Sequence, residues 1–122
     1  RRHIEQVALV HRRDELAAGL PHGEERRLGI ARALAGAPRV LLLDEPAAGT
    51  NESESDELVE SLQAVKARFD CSLVIIEHDM RLIMGLCERI HVLDFGRSIA
   101  EGTPDQVRTD PAVLEAYLGV PA

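Results

Sequence analysis

Hydrophobic residues along the chain change repeatedly from helical to strand spacing, a pattern that is typical of an α/β domain. Two apolar runs, Val40–Leu43 and Ser72–Ile76, are short and uninterrupted, which favours strands buried on both faces of a parallel sheet. Between them, apolar residues recur at helical spacing over Leu58–Phe69 and predict an amphipathic crossover helix. A third run, Ile90–Leu93, follows a short predicted helix that begins at Met80.

Turn and capping residues mark the ends of the predicted elements. Asn51 and Glu54 predict a capping box at the start of the crossover helix, and Gly36 with Pro38 ends an earlier helix that begins after Gly23. The remaining signals are a short helix around Ile4, Val7 and Leu9-Val10, a hairpin turn at Asp94-Phe95-Gly96-Arg97, and helix starts at Thr103-Pro104 and Asp110-Pro111. We therefore expect a mostly parallel sheet with flanking helices and a terminal antiparallel hairpin at a sheet edge.

Composition and charge narrow the classes of function. The chain has 122 residues and a formal net charge of -7, so it is one domain at most and lacks the basic surface that nucleic-acid binding requires. Its apolar runs are far shorter than the ~20 residues of a membrane-spanning helix, so we expect any membrane role to be peripheral. Cys71 and Cys87 lack a metal-binding spacing and are interpreted as reduced core residues of a cytosolic protein. A start at Arg1 rather than methionine suits a fragment or a processed product.

Candidate chemistry lies where the two buried strands end. Asp44 and Glu45 follow the first strand and His78 follows the second, and ligands bind outside the carboxyl ends of neighbouring parallel strands. Because adjacent strand residues point to opposite faces, one carboxylate would face a metal and the other a water molecule. A solvated acid pair and a surface histidine are the alternatives. A zinc-type cluster is disfavoured, because His22, His78 and His91 lack a recognised ligand spacing, so any metal would be magnesium carried by the substrate.

Several motifs follow one another in order along the chain. They are Leu20-Pro21-His22-Gly23-Glu24, Arg26-Arg27, Ile30-Ala31-Arg32-Ala33-Leu34, Leu41-Leu42-Leu43-Asp44-Glu45-Pro46 and Glu77-His78-Asp79. This series resembles an ABC-transporter ATPase read from its signature motif onward. Further segments are similar to the ATPase subunits of branched-chain amino acid importers, namely Pro46-Ala47-Ala48-Gly49-Thr50-Asn51, Glu77-His78-Asp79-Met80, Gly102-Thr103-Pro104 and Ala116-Tyr117-Leu118-Gly119. The resemblance covers about Ile4 to Gly119 and implies the C-terminal part of a P-loop NTPase domain.

The resemblance implies roles in ATP hydrolysis. Asp44 would be the Walker B aspartate that holds Mg²⁺ through water, Glu45 the general base, and His78 the switch histidine that senses the γ-phosphate. The signature segment, which contacts the ATP of a second ATPase subunit, would be Leu20, Pro21, His22, Gly23 and Glu24. Asn51 would be the last residue of the loop that couples the two ATP sites of a pair of subunits.

The same resemblance implies an organisation and an assembly. Residues 1–36 would end a helical subdomain, 37–102 would form the catalytic core, and 103–122 would be C-terminal helices. Two subunits, identical or different, would share each ATP and join transmembrane permease subunits at the cytoplasmic face of the plasma membrane, without nucleic acid.

Two departures from the family pattern bear on activity. No GxxxxGK[ST] string occurs in the sequence, so no glycine-rich loop or lysine cradles the β- and γ-phosphates, and we expect neither ATP nor Mg²⁺ to bind tightly to this chain alone. Within the signature segment, Pro21 replaces the usual serine and Glu24 the usual glutamine. Proline offers neither a hydroxyl nor an N–H group to a phosphate. The loss of that charge-assisted hydrogen bond would weaken the affinity for nucleotide by roughly ten- to a hundredfold.

Two hypotheses follow from these features. In the first, the chain is the C-terminal portion of an ATPase that energises import of branched-chain amino acids or similar solutes, with its ATP-holding half outside this sequence. In the second, it is a non-catalytic module that pairs with a complete ATPase subunit. A DNA-repair ATPase is disfavoured by the acidic charge and the absence of heptads.

Overall fold

The computed structural model describes residues 9–118, in which helices and strands alternate. The α-helices are α1 (His22–Leu34), α2 (Glu52–Arg68), α3 (Met80–Leu86), α4 (Pro104–Arg108) and α5 (Pro111–Leu118), and the strands are β1 (Val40–Asp44), β2 (Ser72–Ile76), β3 (Ile90–Asp94) and β4 (Arg97–Gly102). None of the helices within residues 9–118 is long and apolar enough to cross a bilayer.

The predicted capping boxes are confirmed at both helix starts. At α2, the Asn51 side chain accepts a hydrogen bond from the Glu54 N–H at 2.9 Å, and the Glu54 carboxylate accepts one from the Asn51 N–H at 3.0 Å. At α4, Thr103 and Gln106 exchange the equivalent bonds at 3.4 and 2.9 Å. Each box satisfies helix N–H groups that have no partner within the helix, which fixes where the helix begins.

The segment before α1 is described only from Leu9 onward. Ile4 and Val7 lie outside the described residues, so the short helix predicted there stays a prediction. Leu9 is buried, and Val10 begins a 3₁₀ turn, Val10–Arg12. A second 3₁₀ turn, Ala17–Gly19, leads to α1.

The strands form two separate two-stranded sheets. β1 and β2 are parallel, with Leu42 opposite Val74, whereas β3 and β4 are antiparallel. The parallel pairing and the terminal hairpin are thus confirmed, but within residues 9–118 the hairpin forms a sheet of its own instead of lying at the edge of the parallel sheet. The chain divides into two compact units, of which one ends at Leu82 and the other begins at Ile83. The division into residues 1–36, 37–102 and 103–122 stays a prediction.

The prediction that the parallel strands are buried on both faces is wrong for this chain. Leu41 is 5% exposed, but Val40 and Leu42 are 52% and 72% exposed. In β2, Val74 and Ile76 are likewise 51% and 63% exposed. Neighbouring strand residues point to opposite faces, so these four side chains form one apolar sheet face. Burial of that face needs a second layer, which the described residues do not supply.

Each unit has its own buried residues. In the unit that ends at Leu82, they lie mainly on α1, β1 and α2 and include Ile30, Ala31, Leu34, Leu41, Leu58, Leu62 and Val65. The spacing of three and four residues along α2 confirms that this helix is amphipathic. In the other unit, Val92, Val107 and Val113 form the core cluster. Cys71 and Cys87 are both half-buried rather than core residues.

The hairpin between β3 and β4 turns through two residues in the left-handed region. Phe95 has φ 44° and Gly96 has φ 78°, between the paired residues Asp94 and Arg97. Positive φ at both central positions defines a type I′ turn, whose twist matches that of the flanking strands. Phe95 is fully exposed, at 101%, so packing against residues 9–118 does not offset its unfavourable backbone conformation.

We expect Phe95→Asn to raise the free energy of unfolding by about 1 kcal/mol, because asparagine tolerates positive φ better than other β-carbon-bearing residues. Urea denaturation of the 122-residue chain measures the change. Phe95→Ala is the matched control, since it removes the ring but keeps the strain of a Cβ atom. Equal stabilisation by alanine and asparagine would contradict the strain explanation.

Candidate functional site

The parallel pairing of β1 and β2 brings the ends of both strands to one edge of the sheet. Asp44 is the last residue of β1 and Glu45 follows it, and both are exposed. The Glu45 N–H donates to the Ile76 carbonyl at 2.8 Å, which extends the pairing one residue past the strand. Glu45 then turns the chain with φ 45°. This positive φ is uncommon for a non-glycine residue, and residues in such strained conformations often lie at functional sites.

His78, after β2, lies beside Glu45 as the sequence predicts. Its Nδ1 atom is 3.4 Å from Oε1 of Glu45, and the side chains are 72% and 53% exposed. An exposed carboxylate and imidazole at the same sheet edge can both reach a ligand from solvent. The structure therefore brings Asp44, Glu45 and His78 to the same edge.

Glu77 is a buried acid that the sequence analysis did not single out. Its side chain is only 1% exposed. One carboxylate oxygen accepts from the Ala47 N–H at 2.7 Å, and the other accepts from the N–H groups of His78 and Asp79 at 3.0 and 3.2 Å. Glu77 thus joins the loop after β1 to the loop after β2. A hint was available in the sequence, since Glu77, like Glu45, is an acid directly after an apolar strand.

Asp79 continues this network towards the helices. Its Oδ1 atom accepts from the N–H groups of Arg81 and Leu82 at 2.9 and 3.3 Å, at the start of α3. Its other oxygen is 3.1 Å from the Ser55 hydroxyl on α2. Asp79 therefore anchors the loop after β2, while His78 stays exposed.

Arg26, on α1, holds the backbone of Glu45. One of its guanidinium N–H groups donates to the Glu45 carbonyl oxygen at 2.6 Å, and the same oxygen accepts from the Ala48 N–H at 3.1 Å. The neighbouring Arg27 instead pairs with Glu57 of α2 at 2.7 Å. α1 is thus connected both to the loop after β1 and to α2.

The loop after Glu45 lies next to the signature segment. Gly49 has φ 75°, and a Cβ atom built on it would be 3.7 Å from Cδ2 of His22. The Asn51 side chain accepts from a backbone N–H in the α2 capping box, so its predicted role towards the nucleotide stays a prediction. A cleft of about 240 Å³ opens between the starts of α1 and α2 and is lined by residues that include Pro21, Gly23, Glu24, Arg26, Thr50 and Glu54.

Within the signature segment, the two side chains that depart from the family pattern differ in their contacts. Pro21 directly precedes α1 and provides no side-chain cap. Glu24 is largely buried, with 15% side-chain exposure, and its carboxylate contacts Arg12 at 3.0 Å and His11 at 3.5 Å. Leu20 is half-buried before the helix.

The Asp44 side chain at the sheet edge fits a magnesium ion that is carried by a substrate. No group of three histidine, cysteine or acidic side chains in residues 9–118 could hold a metal ion by itself. Magnesium usually keeps several waters and is bound through one or two carboxylates together with substrate phosphates. The exposed Asp44 carboxylate at the end of β1 suits that mode.

A clear electrostatic effect lies outside this site, in the unit of the hairpin. A hydrogen bond from Arg89, added to its positive charge, lowers the pKa of Glu101, and His91 contributes in the same direction. The Glu101 side chain is exposed, so this pair has little weight in stability.

Comparison with known proteins finds ABC-transporter family models at both ends of the chain. A family model described as ABC transporter matches residues 1–48, and one described as branched-chain amino acid ATP-binding cassette transporter matches residues 97–122. The high-affinity branched-chain amino acid transport ATP-binding proteins LivG of Escherichia coli K12 and BraF of Pseudomonas aeruginosa are 42% and 41% identical over 116 residues. Each match covers 95% of this chain and 46% of the relative.

The fold comparison agrees with the sequence comparison. The crystal structure of the ADP conformation of MJ1267, an ATP-binding cassette of an ABC transporter, superposes with a TM-score of 0.84 at 29% identity. That match covers 98% of this chain and 48% of MJ1267. The chain thus spans about half the length of the relatives it matches.

The fold, the ordered motifs and these matches show that the chain is similar to part of an ABC-transporter ATP-binding domain. It corresponds to the C-terminal half of such a subunit and is similar to the ATP-binding proteins of branched-chain amino acid transport.

We expect Glu77→Ala to lower the free energy of unfolding of the 122-residue chain by about 3 kcal/mol, because three backbone N–H groups lose a charged acceptor. Glu77→Gln keeps one acceptor oxygen and should cost about half as much. Glu60→Gln, at an exposed position of α2, is the control and should change stability by less than about 0.5 kcal/mol. Urea denaturation measures all three changes. Equal effects of Glu77→Gln and Glu60→Gln would contradict the conclusion that the buried Glu77 carboxylate joins the two loops.

Proposed function

We propose that the chain is the C-terminal half of an ATP-binding subunit that couples ATP hydrolysis to the import of branched-chain amino acids or similar solutes. The observation that carries the proposal is the meeting of Asp44, Glu45 and His78 at one sheet edge, with Glu45 and His78 3.4 Å apart. The names of LivG and BraF, both branched-chain amino acid transport ATP-binding proteins, support the solute class.

The proposed reaction is phosphoryl transfer from Mg·ATP to water. Such transfers need positioning and charge stabilisation more than covalent chemistry from the protein. Asp44 would bind the magnesium of the substrate through water, and Glu45 would orient the attacking water and accept its proton. His78 would contact the γ-phosphate while its ring limits the orientations of the Glu45 carboxylate.

The backbone around Glu45 supports this assignment of the general base. Its N–H is fixed by Ile76 and its carbonyl oxygen by Arg26 and Ala48, so the main chain is held on both sides of a side chain that stays exposed. A fixed main chain with a free carboxylate is the arrangement expected of a group that must meet a substrate in one geometry.

The proposed subunit needs residues beyond these 122 for ATP to bind. The sequence has no GxxxxGK[ST] string, and its one lysine, Lys66, lies in the last turn of α2. A phosphate-binding loop and its lysine must therefore come from another segment or another chain. The signature segment, with Gly23 where the backbone approaches closely, would contact the ATP that a second subunit holds.

The proposed assembly follows from this division of the site. A second ATPase subunit would complete each ATP site, transmembrane permease subunits would receive the resulting motion, and the assembly would lie at the cytoplasmic face of the plasma membrane. The second candidate function is a non-catalytic module that pairs with a complete ATPase subunit. The apolar sheet face formed by Val40, Leu42, Val74 and Ile76 favours it, since another polypeptide could cover that face.

We expect the 122-residue chain alone to show no magnesium-dependent ATP hydrolysis. In a complete ATP-binding subunit that carries this segment, Glu45→Gln should lower kcat by at least about a hundredfold, because a general base contributes that much. Glu60→Gln is the control and should leave turnover unchanged. Steady-state phosphate release measures both.

Two outcomes would count against the proposal. Turnover by the chain alone, lost in Glu45→Gln, would show that a phosphate-binding loop is not needed. A complete subunit that hydrolyses ATP equally well with and without Glu45→Gln would remove the general-base assignment.

A further inference from the structure

Glu24 occupies a signature position with an acidic side chain, yet its carboxylate is not directed into solvent. Oε2 of Glu24 lies 3.0 Å from Nε of Arg12, and Oε1 lies 3.5 Å from Nε2 of His11. The Glu24 side chain is 15% exposed and that of Arg12 is 33% exposed. The two facing atoms, Nε and Oε2, are inaccessible to solvent and are not aligned as a hydrogen bond, so their contact is mainly one of charge.

Local structure fixes Arg12 in this place. Leu9 is 2% exposed and anchors the segment, and its carbonyl oxygen accepts from the Arg12 N–H at 3.1 Å in the turn Val10–Arg12. Arg12 also contacts Glu15 through NH1 at 2.9 Å. The guanidinium is therefore held by its own turn and by two carboxylates, whereas the adjacent Arg13 pairs with Asp14 at 3.0 Å.

We propose that Arg12 is a positioning residue that neutralises Glu24, so that an acid at the signature position does not repel the phosphates of ATP. The inference rests on the proposed function, since it takes the signature segment as the surface that meets nucleotide. Without Arg12, the negative charge of Glu24 in the first turn of α1 would cancel part of the positive potential at the N-terminal end of the helix. That positive potential otherwise favours the binding of an anion. With Arg12 in contact, much of the charge of Glu24 is offset, so Glu24 reduces the preference of the helix start for an anion less than an unpaired carboxylate would.

The contact between Arg12 and Glu24 also explains how the signature segment tolerates an acid at position 24. A glutamine at this position needs no counter-charge, so the contact with Arg12 matters only while residue 24 is acidic. This dependence separates the proposal from a direct contact between Arg12 and nucleotide, and from a purely structural role of Arg12.

A double-mutant cycle tests the dependence in a complete ATP-binding subunit that carries this segment. We expect Arg12→Gln to raise KM for Mg·ATP about fivefold with little change in kcat, because it exposes a repulsive charge at the binding surface. Glu24→Gln alone supplies the reference KM for the second half of the cycle. In the Glu24→Gln background, Arg12→Gln should have no further effect on KM.

Three companion measurements separate charge from structure. Arg12→Lys keeps the charge and should preserve KM. Arg13→Gln makes the same change in net charge at the next residue and should leave KM unaltered. The Arg12→Gln defect should shrink at high ionic strength, since salt screens exposed charges, whereas a folding defect would not.

The outcomes distinguish this inference from the function on which it rests. An equal rise in KM for Arg12→Gln with Glu24 or with Gln at position 24 overturns the inference and leaves the ATPase function intact. A large drop in KM for Glu24→Gln alone also overturns it, because Glu24 would then already repel nucleotide. Absence of Mg·ATP turnover in the unaltered complete subunit overturns the proposed function, and the inference with it.

Discussion

The buried carboxylate of Glu77 is the interaction on which the arrangement of the site depends. Parallel pairing of β1 and β2 brings two loops to the same edge, but pairing alone does not fix how the loops lie against each other. Glu77 does so by accepting hydrogen bonds from Ala47 on one side and from His78 and Asp79 on the other. A buried charge is stable only when its acceptor positions are filled, so this carboxylate strongly favours one arrangement of the two loops.

The groups around that bridge divide the work of the site. Arg26 and Ile76 hold the backbone of Glu45, and Asp79 anchors the loop after β2. The exposed side chains of Glu45 and His78 are therefore attached to a backbone that is fixed by hydrogen bonds. α1 takes part through the same Arg26 contact. A displacement of α1 would therefore reach the backbone of Glu45 directly, which is a physical route for coupling between α1 and the end of β1.

Local features of this fold could be predicted from the sequence, whereas features that depend on distant residues could not. The capping boxes of Asn51 and Thr103 and the parallel strands involve neighbouring residues or simple periodicity, and they are confirmed. The exposure of Leu42 was not predicted, because an apolar run does not say whether a second layer covers it. The half-buried state of the cysteines was missed for the same reason.

The site shows the same limit. The meeting of Glu45 and His78 followed from the rule that parallel strands end at one edge. The contacts of Glu77 with Ala47, of Arg26 with Glu45 and of Arg12 with Glu24 join residues 30, 19 and 12 positions apart, and no motif encodes such pairs. They became visible only with the fold.

The most direct test of the account is titration calorimetry of Mg·ATP with the 122-residue chain, alone and mixed with a complete homologous ATP-binding subunit. Under the proposed function, these residues supply the signature segment and the sheet edge at which ATP is hydrolysed, but no phosphate-binding loop. The proposed function therefore predicts no saturable heat for the chain alone, and in the mixture a binding isotherm that arises from the complete subunit. Saturable binding of Mg·ATP by the chain alone would contradict the account, since it would require a nucleotide site within these residues.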